Sequence, residues 1–234
     1  MKITVIYGNT RRGSTWHCAD LIVRELSRHT KTEVTEFYLP KDMPHFCCGC
    51  FSCFYSGEHT CPHYQSVHPI AGALLRADLI ILTSPVYAMN ISGALKAMLD
   101  HLCYMWLSHR PDPRMFDKIA LTVSTTAGAG LKSATETMRN SLKFWGVKRI
   151  FSYTGISSAS EWDEVSPEKL EKIKKQTAAV AKRIAKAAEN IGKLRPPLFR
   201  TVFFAMMAGM MKKNTWNPYD KKHWVDNRWL KDGV

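Results

Sequence analysis

The sequence predicts an α/β fold: a doubly wound, five-stranded parallel sheet with helices on both faces. Three observations predict it. Short β-branched apolar runs recur at residues 3–7, 78–83 and 118–124 (ITVIY, DLIILT, KIALTVS), near-continuous in the manner of strands buried on both sides. The segments between strands carry apolar residues at helical spacing. The first run passes at once into a glycine- and hydroxyl-rich loop, GNTRRGST, which opens a helical segment. Strands that alternate with helices in this way build a parallel sheet.

The elements follow in order. Residues 15–29 place Leu21, Ile22, Val23 and Leu26 where a helix face can bury them. Residues 33–39 (EVTEFYL) form the second strand and residues 67–76 a helix. After the strand at 78–83, residues 91–107 put Ala94, Leu95, Met98, Leu99 and Leu102 on one side of a helix. The fourth strand, 118–124, leads to a helix at 131–145, and residues 148–153 (KRIFSY) supply the fifth strand. The helix at 166–191 has a clear start. Ser166 is its N-cap, Pro167 sits in its first turn, and Glu168 and Glu171 suit the positive end of the helix dipole. The Arg195-Pro196-Pro197 break ends the pattern. Residues 1–192 are therefore read as one domain, and 193–234 as a helical extension rich in tryptophan, with Trp216, Trp224 and Trp229 expected as packing anchors.

With 234 residues, 45% hydrophobic and 23% charged, the chain has the makeup of a globular protein that needs no disulfides to hold its core. The start, MKITVIYGN, has no signal-peptide pattern, and no apolar run reaches the ~18 residues of a membrane span. The expected location is cytoplasmic, where clustered thiols point to metal or redox chemistry before disulfides. The net charge of +13 is uneven: residues 182–234 hold twelve Lys/Arg against four Asp/Glu, and residues 1–181 twenty-one against sixteen. Such a chain favours anionic partners, although Lys169, Lys172, Lys174, Lys175 and Lys182 read as a solvated helix face.

Open parallel sheets bind ligands outside the carboxyl ends of their strands, where strand order reverses. The loops after strands one, three and four are therefore the candidate site. In the first, Asn9, Arg11, Ser14 and Thr15 combine a helix start with hydroxyls and a guanidinium, the makings of a phosphate cradle. The loop has neither the GxxxxGK[ST] of nucleotide hydrolases nor the GxGxxG of dinucleotide folds, and a plain glycine turn capped by Ser14 is the alternative. In the second, TSPVYAMN, Pro85 cannot continue a central strand, and Tyr87 and Met89 would flank a flat ligand. The third, STTAGAG, is small enough for a ring system to lie against its backbone.

The stretch HFCCGCFSCFYSGEHTCP, residues 45–62, holds five of the seven cysteines, spaced Cys47-x2-Cys50-x2-Cys53-x7-Cys61. A [4Fe–4S] cluster needs four converging thiolates, and Cys47, Cys50, Cys53 and Cys61 are the candidates, with Cys48 spare. Zinc would use the same thiolates or the neighbouring His45, His59 and His63. An unmetalled loop of small apolar thiols, or a disulfide, are the other readings. Cys18 and Cys103 are expected as buried helix residues.

Taken together and in order, GNTRRGST, SPVYAMNISGALKAMLDHL and TTAGAG resemble the flavodoxin-like NAD(P)H-dependent FMN reductases. In that family the second run reads S-P-x-Y and continues to K-x-x-x-D, here Ser84 to Tyr87 and Lys96 to Asp100. The cysteine run resembles a branch of the family, the iron–sulfur-flavoprotein-like oxidoreductases. The resemblance covers residues 1–155 well and the extension loosely. It departs after the last cysteine, where relatives often carry acidic residues and this chain has Pro62-His63-Tyr64-Gln65-Ser66.

The resemblance implies strand order 2-1-3-4-5 and FMN as cofactor, with NAD(P)H as co-substrate and a quinone, nitroaromatic or similar electron acceptor. It puts the phosphate end on Asn9, Arg11, Ser14 and Thr15. The ring would lie between the 84–90 loop (Ser84, Pro85, Val86, Tyr87, Ala88, Met89) and Thr125, Thr126 and Gly128. No acid–base residue is compulsory for hydride transfer to FMN, and Tyr87 is the one candidate proton donor, beside a packing role. A homodimer or tetramer is implied, with the apolar run 198–211 packed on a partner subunit; peripheral membrane contact through residues 198–213 is the alternative. No nucleic-acid binding is expected, because no motif supports it. The rival readings are an electron-transfer flavoprotein with no small-molecule substrate and a flavin-free metal-binding interaction protein. The first is disfavoured because flavodoxin-type carriers tend to be acidic.

Overall fold

The computed structural model describes residues 1–156 and 162–230. Strands β1 (Lys2–Tyr7), β2 (Glu33–Tyr38), β3 (Leu79–Pro85), β4 (Ile119–Thr126) and β5 (Arg149–Ile156) form one parallel sheet in the order β2-β1-β3-β4-β5. Strand order thus reverses at the β1–β3 pair, where Tyr7 lies opposite Thr83. The main helices are α1 (Ser14–His29), α3 (Tyr64–Arg76), α4 (Gly93–His101), α5 (Leu131–Phe144) and α6 (Pro167–Glu189), with a one-turn α2 (Ser52–Tyr55) in the cysteine loop. This is the flavodoxin-like doubly wound fold that the sequence predicts.

The apolar runs are continuous because both faces of the sheet are covered. In β3, Ile80 and Leu82 join the core under α3, α4 and α5, whereas Leu79 and Ile81 join the core under α1 and α6. Edge strand β2 is largely exposed, and Glu33 and Glu36 on it discourage further pairing. Ser166 caps α6 as predicted, its hydroxyl accepting from the Lys169 amide. Pro85 ends β3 rather than interrupting it.

Two helices differ from the sequence reading by three residues or more at one end. The helix expected over residues 91–107 is α4 alone, capped by Ser92 and followed by a tight turn at Cys103–Met105. Leu102, Tyr104, Met105 and Leu107 are all buried, a density that a single helix face cannot bury. The helix expected from residue 67 starts at Tyr64, in the first turn after Cys61.

In the extension, α7 (Leu198–Lys212) and α8 (Pro218–Asp226) enclose a small core of Met207, Met211 and Trp224, flanked by Phe203, Phe204 and Trp229. Phe199 and Phe203 meet Phe144 of α5 edge-on at 5.4 and 5.3 Å. The Arg200 guanidinium donates to the carbonyls of Phe116 and Gly146. Trp224 and Trp229 pack within the chain, whereas Trp216 is 63% exposed on it, its backbone amide held by the Asn214 side chain. Among the described residues no helix is long and apolar enough to cross a membrane.

Candidate functional site

The three predicted loops meet at the carboxyl ends of β1, β3 and β4. They enclose a cleft of about 230 Å³ lined by Asn9, Arg11, Gly13, Ser14, Thr15, Pro85, Val86, Tyr87, Thr125, Thr126 and Ala127. Nine of the nominated residues are in this wall. Gly13 and Ala127 were missed because neither offers a side-chain group to read. Ser84, Ala88, Met89 and Gly128 do not line the cleft. Ser84 is fully buried beneath it, where its hydroxyl accepts from the Ser92 amide. Met89 stands at 60% exposure on the adjoining turn.

The loops are tied to one another. The Thr15 and Thr125 hydroxyls share a buried hydrogen bond of 2.6 Å, joining the first loop to the third. The Asn9 amide donates to the Tyr87 hydroxyl at 3.0 Å, joining the first to the second. Ser92 donates to the Gly8 carbonyl and caps α4. Residues 87–90 form a tight turn in which Tyr87 and Asn90 exchange backbone hydrogen bonds. Its two central residues, Ala88 and Met89, have φ of 45° and 66°. Left-handed backbone at two side-chain-bearing residues costs of order 1–3 kcal/mol each and must be held from outside. Asn90 holds it: its side chain accepts from the Ile91 amide and from Thr137. These ties hold the cleft from within the protein, with a phosphate-suited helix start at one end and the tied 87–90 turn at the other.

The cysteine loop builds a second concave site. Cys47, Cys50, Cys53 and Cys61 line one cavity of about 220 Å³ together with Cys48, and so do Asp100, His101 and Cys103. All seven cysteines of the chain are free thiols. Cys18 is buried in α1, as expected, beside the Tyr153 hydroxyl. Cys103 is only partly buried and lies outside α4: the tight turn after that helix brings it to the cavity. His101 was not nominated, because it lies 38 residues from its neighbour His63. Its Nδ1 donates to the Ala97 carbonyl at 2.8 Å, so its Nε2 accepts from His63 Nδ1 at 2.9 Å. The ligand atoms of Cys61, His63 and His101 lie within 4.8 Å of one another. His45 stacks on His63 at 4.5 Å. Lys96 and Asp100 of the K-x-x-x-D run form an exposed ion pair on α4, a contact of small worth in water.

Soft thiol donors around one cavity suit an iron–sulfur cluster, and the same set with its imidazoles suits zinc. The thiols are not equivalent. Hydrogen bonds from Ser52 hold exposed Cys50 below the usual thiol range. Burial pushes Cys53 up to about 11 and Cys103 up to about 12. In metal-free protein, iodoacetamide at neutral pH is therefore expected to label Cys50 first, with Cys53 and Cys103 lagging. Peptide mass mapping over time checks the order, and equal labelling of all three would contradict it.

Arg110 fastens this loop to the extension. One guanidinium nitrogen donates to the Cys53 carbonyl at 2.6 Å and to Glu58, and the other to Asp220 of α8 at 2.6 Å. The guanidinium lies over the Tyr219 ring at 4.8 Å. Gly57, at φ 98°, admits the Tyr219 hydroxyl where a Cβ would overlap it. Asp220 is fully buried and also takes His109 at 2.8 Å and the Asn217 amide at 2.9 Å.

A relative from Archaeoglobus fulgidus named iron-sulfur flavoprotein is 26% identical over 198 residues, covering 84% of each chain. Another iron-sulfur flavoprotein, from Methanocaldococcus jannaschii, is 29% identical over 111 residues, 47% of this chain and 54% of that one. Among solved structures, an NADH:FMN oxidoreductase in its apo form superposes with a TM-score of 0.58 at 18% identity, over 84% of this chain and 91% of that one. An FMN-dependent NADH-azoreductase from Bacillus anthracis, solved with FMN, gives 0.58 at 12% identity, over 79% and 100%. At such identities the structures show the fold alone. The family model of NADPH-dependent FMN reductases matches residues 1–161, which hold all three cleft loops and the cysteine segment, and the chain belongs to that family.

Proposed function

We propose that the chain binds FMN in the β1–β3–β4 cleft and moves electrons from NADH or NADPH to a quinone, nitroaromatic or similar acceptor. The observation that carries this reading is the internally tied cleft, basic and hydroxyl-rich at the α1 start and bounded by the strained 87–90 turn. Bound FMN supplies the hydride and electron chemistry. Arg11, Ser14 and the amides at the start of α1 suit the phosphate, since the helix dipole and guanidinium both favour a dianion there. Thr15 spends its hydroxyl on Thr125, so its part is to hold two walls together. Pro85, Val86 and Tyr87 form the wall suited to the ring, and Thr125 and Thr126 the wall facing it. The Tyr87 hydroxyl accepts from Asn9, which leaves its own proton available to an acceptor.

The thiol cavity favours a second reading of the route out of the flavin. Five clustered cysteines and Cys103 around one cavity fit an iron–sulfur cluster held by Cys47, Cys50, Cys53 and Cys61. Held by these thiolates, a cluster would supply one-electron chemistry, which suits a protein or one-electron acceptor. The relatives named iron-sulfur flavoprotein support this reading.

The test is an absorption spectrum of anaerobically purified protein with iron and zinc analysis, followed by mixing with NADH and NADPH. Flavin bands that bleach on mixing are the expected result. A broad additional shoulder with about four irons per chain supports the cluster, and zinc without iron supports the Cys61–His63–His101 set. A colourless protein that takes up no added FMN overturns the proposal. Arg11→Ala should weaken FMN binding about tenfold, the worth of one charge-assisted contact to phosphate. Flavin fluorescence titration measures it.

A further inference from the structure

Helix α7 presents an apolar face to solvent. Leu198, Val202, Met206 and Met210 recur at every fourth position and are 78%, 60%, 50% and 58% exposed, with Phe199 beside them at 40%. Between them the same face carries only Thr201, Ala205 and Gly209. The single charge within the helix before its last residue, Arg200, is turned inward onto the Phe116 and Gly146 carbonyls. Exposed Lys193 and Arg195 precede the face, and exposed Lys212 and Lys213 close it. An apolar stripe four turns long is unusual on a soluble surface and marks a binding face.

A basic cavity adjoins the start of this helix. It has a volume of about 440 Å³ and is lined by six cations, Arg139, Lys143, Lys148, Arg149, Arg195 and Arg200, with no carboxylate among the described residues of its wall. Lys148 reaches an exposed Asp117 outside the wall. Arg139 spends its guanidinium on Ser152 and the Ile150 carbonyl, leaving its charge uncompensated. Arg195 and Phe199 border the cavity and the apolar face alike.

We propose that α7 and this cavity together dock on an anionic phospholipid surface. The stripe would lie in the headgroup–acyl boundary, the flanking basic residues at the level of the phosphates, and the cavity around one headgroup. An interfacial helix needs this combination: an apolar face, basic flanks and too little length to span. Charge selects the occupant. A second copy of this chain also carries +13, so pairing two such faces would bring like charges together, whereas an anionic bilayer neutralises them.

The test is vesicle co-sedimentation of the full chain at low salt. Vesicles of phosphatidylcholine alone are compared with phosphatidylcholine containing a quarter phosphatidylglycerol, about one anionic lipid in four. Binding to the anionic vesicles only, released by added salt, is the expected result. Val202→Glu/Met206→Glu, on the solvent side of α7, should lower partitioning about tenfold or more, as should Lys143→Glu/Arg195→Glu. Far-ultraviolet circular dichroism and FMN binding should remain as in the parent, since none of these residues lines the flavin cleft. Wild-type protein left in the supernatant with anionic vesicles overturns the proposal. So does a dimer, seen by light scattering, that Val202→Glu/Met206→Glu splits while vesicle binding is unchanged: the face would then join two copies.

Discussion

Asp220→Ala should destabilise the protein by about 3–5 kcal/mol, the cost of taking from a buried guanidinium its one buried carboxylate and leaving it only the half-exposed Glu58. Arg110 and Asp220 are 5% and 0% exposed at their side chains, so water cannot replace the lost partner. The same change strips His109 and Asn217 of an acceptor. It also frees the anchor through which α8 holds the Cys53 carbonyl. Two consequences should therefore appear together. Denaturant unfolding should shift to lower concentration, and the thiols of Cys53 and Cys61 should react faster with a disulfide reagent in the still-folded protein. Asp220→Asn keeps the shape and loses the charge, so it should fall between. A loss below about 1 kcal/mol with unchanged thiol kinetics would mean that Arg110 does not couple the extension to the cysteine loop.

This clamp shows where sequence reasoning stopped. Arg110 and Asp220 are 110 residues apart, and neither sits in a motif. The role of the extension therefore could not be read, although its apolar and aromatic content could. His101 and Cys103 escaped for a related reason. They lie at and just beyond the end of α4, whose periodicity speaks only of the face carrying Leu95, Met98 and Leu99, and nothing local says which loop that end meets.

The fold was legible because both cores write themselves along the strands: ITVIY, DLIILT and KIALTVS are apolar on both faces, and the loops between carry the turn and cap residues. The cleft was legible in part for the same reason, since a doubly wound sheet fixes which loops can meet. The 87–90 turn was not. Positive φ at two successive residues normally announces itself with glycine or asparagine, and here the positions are Ala88 and Met89. The strain is sustained by Asn90, Thr137 and the packing of the opposite loop, which are tertiary facts.

That opposite loop sets the other large expected effect. Gly130→Ala should weaken FMN binding about ten- to a hundredfold and cost about 1–3 kcal/mol of stability. Gly130 has φ 91°, outside the range side-chain-bearing residues hold readily. A Cβ there would stand 2.6 Å from Val86 Cγ1 and 3.0 Å from Met89 Cα. The valine can turn, but the Met89 backbone can yield only by moving a turn that is already strained. Val86, Tyr87 and Pro85 form one wall of the cleft, so that movement carries the wall with it. Flavin fluorescence titration reads the affinity and thermal unfolding the stability. Val86→Ala/Gly130→Ala separates the two parts of the clash. Removing the γ-methyls relieves the side-chain overlap but neither the φ penalty nor the Met89 contact, so affinity should recover partly. Full recovery would assign the effect to Val86 alone, and an unimpaired single variant would show that the close approach at Gly130 does not set the cleft.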